Sequence, residues 1–166
     1  MIDARIRRAG TCDAPVLTEL RWDFTREDHG DAPVPLTEPA LLDACRTWLH
    51  ERLENESILA WVAEVDGRVC GHVFLHPVEK APVPYPGPAM WGCVTEIYVT
   101  PAHRGHGLGH QLLDALRAYA RDAGFETLVT WPSECSTRLY WRAGFVPPHE
   151  LLELRFPEAS PDDMAD

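Results

Sequence analysis

A chain of 166 residues fits one domain, and a composition 45% hydrophobic and 25% charged is that of a globular protein able to bury a core without disulfides or metal. Lysine and arginine number 15 against 26 aspartates and glutamates, a formal charge of −11. Such a surface repels phosphate backbones and anionic lipid, so neither nucleic acid nor membrane is an expected partner, and it suits a cationic substrate. No run of about 18 apolar residues is present. The start, Met1-Ile2-Asp3-Ala4-Arg5, carries charge where a secretion signal carries an apolar stretch. Cys12, Cys45, Cys70, Cys93 and Cys135 are scattered without a CxxC pair, so reduced thiols in a cytoplasmic protein are expected.

In chain order, residues 4–8 predict a short strand. Thr11 is placed to cap a helix running to about residue 23, with Val16, Leu17, Leu20 and Phe24 on one side. Residues 25–37, with charge, Gly30 and two prolines, read as a loop. A second helix fits 38–53 on the spacing of Leu41, Leu42, Cys45, Trp48, Leu49 and Leu53. Ile58 to Val65 predicts a strand, Asp66-Gly67 a two-residue hairpin turn, and Val69 to Leu75 its antiparallel return. Pro77, Pro82, Pro84, Pro86 and Pro88 predict a stiff exposed loop over 77–90, either a connector or a lid or dimer contact. Trp91 to Val99 is the next strand, ended by Pro101. Leu108 to Ala123 is the clearest helix, with Leu108, Leu112, Leu116, Tyr119 and Ala120 in one stripe and Gly124 as its stop. Glu126 to Trp131 follows as a strand, Ser133 opens a short helix through Ala143, and Leu151 to Phe156 reads as a last strand. The expected organisation is one domain over 1–156 with a flexible acidic tail over 157–166.

The strongest constellation is Val99-Thr100-Pro101-Ala102-His103-Arg104-Gly105-His106-Gly107-Leu108-Gly109. A strand runs into a glycine turn that opens a helix, whose first N–H groups lack partners and carry partial positive charge. Glycine lets backbone approach an anion closely, so the segment reads as a phosphate cradle. It is no nucleotide P-loop, because no lysine follows, and no dinucleotide fingerprint, because His110 stands where the third glycine belongs.

Val99-x-Pro101-x-x-Arg104-Gly105-x-Gly107-x-Gly109, followed by Leu112-Leu113, resembles the acetyl-CoA motif of the GNAT superfamily of N-acetyltransferases. Leu139-Tyr140-Trp141-Arg142-Ala143-Gly144-Phe145 resembles that family's later LY-x-x-x-GF signature. The order of elements agrees over nearly the whole chain. The resemblance implies an α/β fold (α+β type) with a mixed, mostly antiparallel central sheet of six or seven strands flanked by about four helices. It implies acetyl-CoA as co-substrate without a metal, and attack of a primary amine of a small molecule or peptide on the thioester within a ternary complex. A homodimer is compatible with it. The alternative is a non-catalytic acyl-CoA-binding or sensor module.

By the resemblance, backbone N–H groups from Arg104, Gly105, His106, Gly107, Leu108 and Gly109 hold the pyrophosphate, with the Arg104 cation alongside. Ile97, Tyr98 and Val99 offer edge-strand backbone to the pantetheine arm. Relatives often carry Asn and Ala where Ser133 and Ser136 stand, and these serines are the corresponding cofactor contacts. Tyr140 falls near the thioester sulfur as general acid, or packs on the cofactor. A lysine-like amine has a pKa of about 10.4 and must lose a proton to react. Glu96 is the candidate base, against a solvated strand carboxylate with water in that role. Strand alternation puts Glu96 on the face of Val94 and Tyr98. Three weaker groups remain. His103, His106 and His110 lack backing carboxylates and read as turn residues, not metal ligands. His72 and His76 share a strand face, lining a cleft or serving structure. Trp22, Asp23, Glu27, Asp28 and His29 fall where the family's first helix borders the acceptor, or form a solvated loop. Cys135 reads as a packing residue.

Overall fold

Alternate residues of the apolar run Leu59–Val65 face opposite ways, so the strand they form needs cover on both sides. The computed structural model, which describes residues 3–30 and 38–154, provides it. In chain order the elements are β1 (Arg5–Arg8), α1 (Ala14–His29), α2 (Glu38–Glu54), β2 (Leu59–Val65), β3 (Arg68–Glu79), β4 (Met90–Val99), α3 (Leu108–Asp122), β5 (Phe125–Val129) and α4 (Thr137–Arg142). Short 3₁₀ turns at Thr11–Asp13 and Pro101–His103 precede α1 and α3. The strands form one five-stranded sheet in sequence order, antiparallel except for the parallel pair β4–β5.

Two cores follow from the alternation. Leu59, Trp61, Ala63, Val73, Leu75 and Val94 pack against Leu108, Leu112, Leu113 and Leu116 of α3 and Tyr140 and Ala143 of α4. Ala60, Val62 and Phe74, from the opposite face, meet Ala14 and Leu17 of α1 and Leu49 of α2. The side chain of Asp13 fixes the start of α1, accepting bonds from the Gly10 amide at 2.9 Å and from both terminal nitrogens of Arg7 at 2.9 and 2.8 Å. No helix among the described residues is long and apolar enough to cross a membrane.

Five expectations change. The sheet has five strands, not six or seven. Residues 151–154 form no strand, since Pro147 and Pro148 remove two donors just before them and Leu152, 95% exposed, has no core to bury against; Arg155, Phe156 and the expected tail lie outside the described residues. α1 does not stop near residue 23 but runs to His29, replacing the first five residues of the expected loop. Thr25 bonds back to the Arg21 carbonyl at 2.9 Å, Arg26 pairs with Asp23, and Gly30 (φ +57) ends the helix; residues 31–37 are not described. Finally, β3 continues through Pro77, which pairs with Gly92, so the proline-rich loop shrinks to residues 80–89. Pairing of β3 with β2 ends at Leu75, so Pro77 sits where β3 is paired on one side only and its missing N–H is tolerated. The last helix is also shorter than expected: residues 133–136 form a turn, in which the Ser133 carbonyl accepts the Ser136 and Thr137 amides, and α4 starts at Thr137.

His72 lies between Val62 of β2 and Tyr98 of β4, fully buried, with its ring 4.7 Å from Phe74 and 6.2 Å from Tyr98. Neither ring nitrogen has a hydrogen-bond partner among the described residues. Burial, aided by the Arg21 charge, pushes its pKa down to about 3. Between that value and about 6.5 the unfolded chain binds a proton that the folded chain refuses, so stability falls as pH drops through this window. Denaturant titrations should show wild type losing about 2 kcal/mol between about pH 7 and about pH 5 through this group, and His72→Leu losing correspondingly less. An unchanged pH dependence in the variant would remove His72 from this role.

Candidate active site

β4 sets the geometry. Its ladder to β5 pairs Met90 with Phe125, Gly92 with Leu128 and Cys93 with Val129, and goes no further. Beyond this fork, Val94 to Val99 have β3 on one side and no strand on the other. The ladder to β3 is also irregular. His72 pairs with Tyr98 and Phe74 with Thr95, so Glu96 and Ile97 together oppose Val73. This is a β-bulge, and Glu96 takes φ +51, in the left-handed region that a glutamate enters only under constraint.

The bulge corrects the expected facing of Glu96. Strict alternation would put residues 94, 96 and 98 on one face. Val94 instead packs in the core under α3, whereas the Tyr98 ring meets Phe24 of α1 at 6.0 Å. Glu96 turns to the α1 side, where Arg21 Nη1 donates to its Oε1. Its Oε2 is buried with no partner among the described residues. On the same face, His76 Nε2 lies 2.9 Å from Thr95 Oγ1, and burial holds the His76 pKa below its ordinary value.

After β4, the turn at Pro101–His103 is braced by a 2.9 Å bond between Thr100 Oγ1 and His103 Nδ1. Gly105 (φ +79) and Gly107 (φ +81) then reverse the chain into α3. A β-carbon at either would meet nothing within 4 Å, so these glycines serve backbone conformation and leave the side facing the cleft open. At Gly109 the reason differs: a β-carbon there would lie 3.1 Å from Leu139 Cδ2, so this glycine lets α3 and α4 pack closely. The Gln111 amide is the first of α3 to find its helical acceptor, Gly107 O at 3.1 Å. The preceding N–H groups carry the positive end of the helix dipole.

These pieces surround an open cleft of about 900 Å³. It gathers Ile97, Tyr98, Val99, Arg104, Gly105, Gly107, Leu108, Gly109 and Ser133 from among the expected site residues. His106, exposed, and Ser136, whose hydroxyl is engaged by Ser133 at 3.0 Å, do not line it. Glu96 and Tyr140 do not line it, although their chain neighbours Ile97 and Leu139 do, and Tyr140 borders a second cleft with Thr130 and Phe145. Tyr140 is 4% exposed, its ring edge-on to Phe145 at 5.2 Å, with the Thr130 side chain and Cys93 nearby. Burial raises its pKa above the ordinary phenol value, so the proton is retained at neutral pH.

The Arg104 guanidinium is already engaged. Nε donates to the Val99 carbonyl at 2.8 Å, Nη2 donates to Glu27 at 2.6 Å, and the group lies 5.4 Å from the centre of the Tyr98 ring. Glu27 also accepts the Tyr98 hydroxyl at 3.0 Å. Arg104, and to a lesser extent Tyr98, hold the Glu27 carboxyl below its ordinary range, while burial and the Glu27 charge push Tyr98 up to about 12. Glu27, Asp28 and Phe24 line the cleft as residues of α1, not of a loop. Arg21 and Thr95 escaped sequence reading, whereas His76 was read as a cleft or structural residue. The one available signal was helical spacing, since Arg21, Phe24 and Glu27 recur every third residue and face β4 together. Among the described residues, no group of three or more histidines, cysteines and carboxylates gathers as a metal site would.

Comparison with known proteins agrees with this architecture. The sequence pattern of the Acetyltransferase (GNAT) family matches residues 14–145. The amino-acid acetyltransferase of Mycobacterium tuberculosis (strain ATCC 25618 / H37Rv) is 27% identical over 146 residues, spanning 84% of this chain and 67% of that protein. The crystal structure of a GCN5-related N-acetyltransferase from Ralstonia eutropha JMP134 superposes with a TM-score of 0.72 at 28% identity, covering 92% of this chain and 99% of that one. A predicted acetyltransferase from Clostridium acetobutylicum, crystallised with acetyl-CoA, has the same fold, with a TM-score of 0.73 at 22% identity over 92% of this chain and 96% of its own. With a family match that runs from the start of α1 to Phe145 and takes in both the glycine turn and Tyr140, this chain belongs to the GNAT family of acetyltransferases.

Proposed function

We propose that the protein transfers the acetyl group of acetyl-CoA to a primary amine of a small molecule or peptide by direct attack. The observation that carries this reading is the fork between β4 and β5. It leaves one strand edge unpaired between a phosphate-sized glycine turn and a buried phenol. The pyrophosphate fits the N–H groups that open α3. The pantetheine arm, with its amides, pairs with the open edge at Ile97 to Val99 as an added strand would. The acetyl thioester then arrives at the fork, beside Cys93 and Tyr140. Since Arg104 is bound to Glu27 and the Val99 carbonyl, it acts chiefly as a strut holding the turn against β4, and the backbone does the phosphate binding.

The acceptor enters from the α1 side, where the bulge turns Glu96. An ammonium loses its proton to Glu96, directly or through water, and the neutral nitrogen attacks the thioester carbonyl. As the C–N bond forms, the C–S bond breaks, Tyr140 gives its proton to the departing thiolate, and the acylated nitrogen loses its second proton to solvent, as Glu96 afterwards loses the first. Solvent restores the phenol. A thiol of pKa about 8.5 takes a proton from a phenol of about 10 or higher only while the two are held together, which the packed position of Tyr140 provides.

Two variants test the assignment. Gly107→Glu places a carboxylate against the pyrophosphate position and forces a non-glycine residue to φ +81, so acetyl-CoA binding should vanish in calorimetry while circular dichroism is retained. Unchanged affinity would refute the site. Tyr140→Phe should lower kcat about 100-fold with the acetyl-CoA Kd within about twofold, measured by thiol release against a panel of amines. An unaltered kcat would show that Tyr140 is not the acid.

A further inference from the structure

We propose that the acceptor carries its own carboxylate next to its amine, as an α-amino acid does, and that Arg21 and Glu96 bind it as a pair. This rests on the N-acetyltransferase reading above and names the acceptor class of that site. The pair is placed for it. Phe24 and Glu27 of α1 reach Tyr98 and line the cofactor cleft, and one turn earlier the same helix stripe brings Arg21 to Glu96. Glu96 precedes Ile97, which lines the inner part of the cleft.

Each partner has capacity left. Glu96 is locked by the bulge, with one carboxylate oxygen on Arg21 and the other buried without a partner among the described residues. An unsatisfied buried carboxylate oxygen is costly, and an ammonium N–H satisfies it. Arg21 offers a planar fork suited to a carboxylate, keeps 35% of its side chain exposed, and lies 5.9 Å from the centre of the Trp48 ring.

Charge then selects the acceptor. The pair sums to zero, so a purely cationic amine approaching Glu96 meets the Arg21 charge beside it and gains little. The nearby groups do not alter this balance. Glu27 is matched by Arg104, while burial keeps His72 and His76 neutral and raises the Cys45 thiol pKa. A zwitterion whose charges are adjacent matches a pair in direct contact, with carboxylate on Arg21 and ammonium on the free oxygen of Glu96. The α-amine then lies against its base at the inner end of the cofactor cleft.

The test compares three matched acceptors: a free α-amino acid, its carboxamide, and the amine lacking the carboxyl group. In wild type, kcat/KM for the amino acid should exceed both others by about tenfold or more. Arg21→Gln should collapse that ratio towards one, mainly through the amino-acid KM, and Arg21→Lys should restore part of it. A purely structural role for Arg21 would depress all three acceptors together and leave the ratio intact. An intact ratio in Arg21→Gln, or a wild type that prefers the carboxamide or plain amine, overturns the proposal while leaving N-acetyl transfer standing. Should Arg21→Gln fail to fold, the wild-type ratio decides alone. A protein that binds acetyl-CoA but acetylates no amine overturns both readings.

Discussion

β3 and β4 fall out of step at one point. Between the His72–Tyr98 and Phe74–Thr95 pairs, β4 uses Glu96 and Ile97 where β3 uses only Val73. The consequences run through the site. Upstream of the bulge, Val94 stays in the α3 core; downstream, Tyr98 stands on the α1 face, and Glu96 is turned to that face between them. A bulge also sharpens strand twist, and within the same stretch β5 has parted from β4. The cleft and the α1 side of the sheet therefore open from one irregular strand, with the apolar sheet on either side of the left-handed Glu96.

α1 binds to this strand through charge as well as packing. Arg21 meets Glu96 near the bulge, and two turns later Glu27 accepts from both Tyr98 and Arg104 at the glycine turn. Phe24 fills the gap between the two polar contacts. The chain is strongly acidic overall, yet beside the cleft the carboxylates Glu96 and Glu27 each have an arginine. The partners are partly exposed, so each pair adds little to stability. Their effect is geometric: they set where the first helix stands relative to the strand that carries the site.

The glycines of the turn divide by physical cause. Gly105 and Gly107 stand in open space with positive φ, so backbone conformation demands them; Gly109 has helical backbone and is demanded by contact with Leu139. One short motif thus serves two ends, shaping the turn that opens α3 and drawing α3 onto the helix that carries Tyr140.

Much of this was legible in the sequence. The glycine turn, the stripe of α3, the Asp66-Gly67 hairpin and the Tyr140 signature depend on local conformation and short-range periodicity, which residue order encodes directly. The length of α1 and the passage of β3 through Pro77 were not, because there the contacts of Glu27 with Tyr98 and Arg104 and the one-sided pairing of β3 outweighed local turn signals. The role of Arg104 was legible only as a cation: its commitment to Glu27 needs a residue 77 positions away. The facing of Glu96 shows the limit most clearly. The sequence by itself determined that a carboxylate lies on the strand entering the glycine turn. Only the tertiary structure decided that it meets Arg21, since a bulge arises from the mismatch between two strands, and no single strand's alternation contains it.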